Sequence, residues 1–74
     1  MIKVNVYRYK VVLRTCWFLD PIDYAFFALD DADAMRQLDE CANIYSILKI
    51  MRYNKDTRKY VSIPSLEAKY VKAN

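Results

Sequence analysis

The sequence predicts an α+β fold of order ββαββ: a four-stranded, mainly antiparallel sheet with one helix packed on one face. Three observations carry this. Residues 7–13 alternate with period 2, placing Tyr7, Tyr9, Val11 and Leu13 on one side of a strand. Behind three aspartates, Met35, Leu38, Cys41 and Ala42 recur at helical spacing. Two runs rich in β-branched and aromatic residues, 44–53 and 58–63, flank the turn-forming stretch "NKDT".

The chain has 74 residues, enough for one domain. Residues 1–63 are assigned to the ββαββ unit and 64–74 to a tail or short C-terminal helix. With 55% hydrophobic and 15% aromatic residues the chain is too apolar to stay disordered. No uncharged run approaches the roughly 20 residues of a membrane span, and "MIKVNVYRYK" lacks a signal-peptide core. The expectation is a cytoplasmic protein that does not enter a membrane.

Element by element, Ile2, Val4 and Val6 share one face, and the phase reverses at Tyr7. A β-bulge at residues 6–7 would restore one apolar face, so a long, bent first strand is predicted. Trp17 and Leu19 continue the phase of Tyr9 and are placed with the core, while Arg8, Lys10 and Arg14 point the other way. "LDPID" (19–23) turns the chain at Pro21, and "YAFFAL" (24–29) is the second strand of a hairpin.

Asp30 is the expected N-cap, and Asp31 and Asp33 occupy the first helical turn, where the dipole favours anions. The helix is predicted to run about three turns and to close at Asn43, with Arg36, Gln37, Asp39 and Glu40 outward. Residues 44–53 form the third strand. Its buried face stays open, because Ile44, Leu48 and Ile50 compete with Tyr45, Ile47 and Met51. Residues 54–57 turn, 58–63 return, and Pro64 ends the ladder. The spatial order 2-1-3-4 places the first strand centrally; 1-2-3-4 is the alternative.

Several chemistries lack their standard parts. There is no histidine, hence no imidazole base or ligand, and no glycine, where average usage would give about five. Phosphate loops, dinucleotide fingerprints and EF-hand loops all need glycine. An EF-hand loop begun at Asp31 would place Arg36 at its glycine position and Ala42 at its bidentate glutamate. Asp30, Asp31 and Asp33 are therefore read as capping and solvated residues, with no catalytic, metal-binding or cofactor-binding role. Cys41 lies on the apolar stripe. Cys16 lies on the arginine face with no base to activate it. No enzymatic activity and no cofactor are expected.

Charge is segregated. Residues 1–15 carry +4, residues 16–43 carry −6 and residues 44–74 carry +5, for a net +3. Two candidate surfaces follow. One is an acidic helix face of Asp31, Asp33, Asp39 and Glu40, able to mimic phosphates. The other is a basic sheet face and hairpin of Arg8, Lys10, Arg14, Lys49, Arg52, Lys55, Arg58 and Lys59. The expected function is a small non-catalytic protein-binding module, of the kind used as accessory or inhibitor proteins by phages and mobile elements to occupy the surface of a host nucleic-acid-processing or defence complex. The partner is another protein. The alternatives are a nucleic-acid binder using the basic face and a structural homodimer. Against nucleic acid, Tyr7, Tyr9 and Trp17 are assigned to the core, which leaves Tyr45, Tyr53 and Tyr60 for base contact.

Overall fold

The computed structural model describes residues 6–71 and has the predicted class and order. Strand β1 (Tyr7–Arg14) and strand β2 (Ile22–Ala28) form a hairpin. Helix α1 (Asp31–Ile44) follows, then β3 (Ser46–Asn54), β4 (Lys59–Ser62) and helix α2 (Pro64–Tyr70). All pairings are antiparallel and the spatial order is β2-β1-β3-β4. The longest local alternation therefore does sit in the centre of the sheet. Ile2 and Val4 lie outside the described residues, while Val6 precedes the first residue of β1, Tyr7, and is exposed.

One face of the sheet is covered. Tyr9, Val11 and Leu13 from β1, Phe26 and Ala28 from β2, and Ile47 and Ile50 from β3 are buried beneath Ala34 and Leu38 of α1 and Leu66 of α2. Tyr9 and Phe26, directly paired, stack at 5.3 Å. Tyr9, Val11, Leu38 and Ile50 are fully enclosed, and each contributes about 1.5–3 kcal/mol of apolar burial.

The third strand resolves the competition between its two faces by using both. Val12 pairs with Lys49 but Leu13 pairs with Ile47, so Leu48 is an extra residue opposite β1. This bulge reverses the side-chain phase, and Ile47 and Ile50, three apart, both point into the core.

Three expectations are corrected. Strand β1 ends at Arg14 rather than running on, so Trp17 and Leu19 stand in the connecting turn, 84% and 48% exposed, instead of in the core. Helix α1 has 14 residues, about four turns, and passes Asn43; the Tyr45 N–H closes it on the Cys41 carbonyl at 2.8 Å. Its buried line runs through Ala34, Leu38 and the half-buried Cys41, leaving Ala42 exposed. Gln37, expected outward, donates from Nε2 to the Phe27 carbonyl at 2.9 Å.

The C-terminal segment is a helix. Pro64 opens it, where a missing N–H costs nothing, and Leu66 enters the core. The Ile63 carbonyl turns away from the sheet to accept from Leu66 and Glu67. The Ile50 N–H is instead taken up by the Glu67 carboxylate at 3.2 Å. That side chain stands in for the strand that Pro64 interrupts.

The β3–β4 turn is built without glycine. Asn54 Oδ1 accepts from the N–H groups of Asp56 and Thr57, and Arg58 takes the left-handed conformation at φ 57°.

Candidate functional site

The acidic residues are largely engaged within the fold. Asp30 Oδ1 caps α1 by accepting from the Asp33 N–H at 2.8 Å. Asp33 reaches back to the Leu29 N–H at 3.0 Å and pairs with Arg36 one turn on. The Leu29 N–H and then the Arg36 guanidinium hold its carboxyl below the usual carboxylate range. Asp31 turns toward the sheet, where the Tyr9 hydroxyl donates to it at 2.7 Å and Arg52 approaches at 3.4 Å. Asp39 accepts from the Tyr70 hydroxyl, which also reaches the Met35 carbonyl. Of the four expected helix-face acids, only Glu40 has neither a hydrogen bond nor an ion pair among the described residues.

Burial and then these carboxylates push the Tyr9 and Tyr70 phenols up to about 12. The Cys41 thiol is raised by burial and then by Glu40. Among the described residues, no group of three or more His, Cys, Asp or Glu side chains is placed to hold a metal ion.

The expected basic surface divides. Arg8, Lys10, Arg14 and Lys49 project from the sheet face opposite the helices, as period 2 and the β1–β3 register require. Lys55, Arg58 and Lys59 sit at the β3–β4 turn beside it. Arg52 is on the helix side instead, between Asp31 and the Tyr7 ring, 5.4 Å from its centroid. The bulge at Leu48 is the reason: it fixes Ile50 inward, and Arg52, two residues on, shares that face.

Aromatic rings interleave with these bases. Tyr53 and Tyr60 pair directly across β3 and β4 and meet edge to face at 5.3 Å. The Arg8 guanidinium lies 6.0 and 5.9 Å from the two ring centroids, and Lys10 Nζ lies 4.6 Å from that of Tyr60. On the other side Arg8 pairs with Phe27, which is 61% exposed. A line of aromatic, guanidinium, aromatic and aromatic groups thus crosses all four strands. The half-buried Lys10 also faces the exposed Asp23 at 3.8 Å.

A third surface is apolar and includes Trp17 and Leu19, which periodicity alone places in the core. In the β1–β2 turn the Leu19 N–H bonds the Cys16 carbonyl, and Arg14 Nη1 donates to the Trp17 carbonyl at 3.2 Å. The turn so held projects Trp17 and Phe18, 84% and 67% exposed, with their rings edge to face at 5.4 Å. Ile22 and the 70% exposed Ile44 belong to the same end of the sheet, because Leu13 pairs with both Ile22 and Ile47 and Arg14 with Ser46. The signal for this surface was three apolar residues running straight into Asp20–Pro21. The register decides it: Leu13 is the partner of Ile22, so residues 14–21 form the connection and Trp17 and Leu19 have no strand opposite them.

No described helix is long and apolar enough to cross a membrane. The chain matches no protein-family model, no curated protein and no solved structure.

Proposed function

We propose that the protein is a small non-catalytic module that binds another protein through the apolar end of the β1–β2 hairpin. The observation that carries this is the exposure of Trp17 and Phe18, adjacent on a hydrogen-bonded turn. Aromatic side chains of this size dominate the energetics of protein interfaces when they enter a partner's pocket. Left in water they gain nothing for the fold, and their edge-to-face contact pre-sets their orientation. The rim is suited to the same use, with Leu19 and Ile22 beside them and Arg14 and Asp20 at the margin.

In its finer form the module is an accessory or inhibitor protein of a phage or mobile element that occupies a host complex. That role rests on the small size of the domain and its two-faced charge. The apolar end is a better contact surface than the acidic helix, since Asp31, Asp33 and Asp39 are already bonded internally.

Immobilised protein presented to a lysate should retain one partner in stoichiometric amount, and a Trp17→Ala, Phe18→Ala double variant should release it while keeping the wild-type circular dichroism. A retained set that is the same for both proteins would defeat the proposal. Sedimentation of the purified protein distinguishes a second copy: a dimer split by the double variant would make the partner the chain itself.

A further inference from the structure

We propose that the open sheet face is a binding site for single-stranded nucleic acid, adjoining the hairpin end at Arg14. Charge is the first ground. Arg8, Lys10, Arg14 and Lys49 share this face with one acid, Asp23, while the helices on the other side carry most of the acidic residues. A polyanion is steered to one side of the molecule and repelled from the other.

Charge alone would suit an acidic peptide equally, and the rings decide between them. Tyr53, Tyr60 and Phe27 lie in one line with Arg8, at two strand positions on each side of the sheet centre. A peptide carboxylate needs the cations and makes no use of three aromatic surfaces. A nucleic acid strand uses both, placing phosphates on the cations and bases on the rings. Four strands spaced about 4.8 Å apart span roughly 14 Å, enough for two or three bases but too broad to enter a duplex major groove about 12 Å wide. The bases must therefore be unpaired.

At present Arg8 and Lys10 rest over the tyrosine rings, 4.6–6.0 Å from their centroids. Phosphates would draw these flexible cations aside, and the freed ring faces would receive bases. The cations shield the rings from water until a ligand arrives, which accounts for aromatic side chains on a sheet face that no helix covers.

The test is fluorescence anisotropy of the full chain with a labelled 15-nucleotide oligothymidylate, against a 15-base-pair duplex and a polyglutamate peptide of equal length. The single strand should bind at least tenfold more tightly than either. Four phosphate contacts give a log–log salt slope near −2.8, so affinity should fall about 50-fold between 50 and 200 mM salt. Tyr53→Leu with Tyr60→Leu should weaken binding tenfold or more, and Tyr53→Phe with Tyr60→Phe should not. Arg8→Ala should make the slope shallower by about 0.7. If the leucine variant fails to fold, Phe27→Ala, at an exposed position, reports on stacking in its place. No binding of the single strand at 50 mM salt overturns the proposal. So does equal affinity for the duplex with unaffected leucine and Phe27 variants, which is electrostatics alone. Tighter binding of polyglutamate assigns the face to an acidic protein instead.

Discussion

Deleting Leu48 should leave a folded protein. In a regular strand, removal of one residue sends every following side chain to the opposite face. Here Leu48 is the surplus residue, since Leu13 pairs with Ile47 and Val12 with Lys49. Without it Ile47, Lys49 and Ile50 become consecutive, so both isoleucines stay inward and the lysine stays outward. The cost is then only the packing of Leu48 itself. That side chain is 38% exposed, so roughly three-fifths of the 1.5–3 kcal/mol for burying a leucine is lost, about 1–2 kcal/mol. A domain of this length has a total stability of about 4–11 kcal/mol and survives the loss. If Leu48 were instead part of a regular ladder, Ile47 or Ile50 would turn to water, adding about 1.5–3 kcal/mol and raising the cost to roughly 2.5–5 kcal/mol. Urea denaturation followed by far-ultraviolet circular dichroism measures the difference; the exposed Trp17 is a poor reporter of folding. The midpoint should fall by about 1–2 M for a slope near 1 kcal/mol/M. Deletion of Met51, beyond the bulge, serves as the contrast, because it would exchange the faces of Arg52 and Tyr53 and should cost more. A Leu48 deletion as damaging as the Met51 deletion, or without a cooperative transition, would refute the bulge as the device that phases β3.

Three further outcomes are expected. Glu67→Ala should cost about 1–3 kcal/mol because it leaves the Ile50 N–H without its acceptor; Glu67→Gln, which retains an oxygen, should cost less, and equal losses in chemical denaturation would contradict the role. Arg58→Gly should raise stability by about 0.5–1 kcal/mol by relieving a left-handed residue that bears a Cβ; a lower midpoint would show the turn unstrained. Stability should decline from pH 10 toward pH 12. The Tyr9 and Tyr70 phenols, raised to about 12 in the fold, ionise near 10.0 once unfolded, so their stabilisation is complete below pH 10 and lost through the folded value. Urea midpoints at pH 8, 10 and 11 should show the decline and a Tyr9→Phe, Tyr70→Phe variant a flatter profile; identical profiles would exclude these phenols as its source.

Much of the candidate surface was legible in the sequence. The alternation of Arg8, Lys10 and Arg14 against Tyr9, Val11 and Leu13 is a local property of one strand, and it placed three bases opposite the core before any packing was known. Asp30 could be read as a cap because the cap bond spans three residues. Arg52 and the tyrosines could not be assigned in the same way. Their faces depend on how many residues of β3 oppose β1, which is a relation between strands far apart in the chain. Trp17 was misplaced for a related reason: periodicity states which face a residue would occupy if the strand continued, and only the position of the hairpin turn decides whether it does.

By itself, then, the sequence determined the fold class, the order of elements, the start of α1 and the segregation of charge. Each follows from spacing within a single element or from composition. The tertiary structure decided the bulge at Leu48, the replacement of a ladder bond by Glu67, the internal pairing of the helix acids and the alignment of Arg8 with Phe27, Tyr53 and Tyr60. These depend on which strands become neighbours and in what register, a choice made by burying one shared core, and no local pattern contains it.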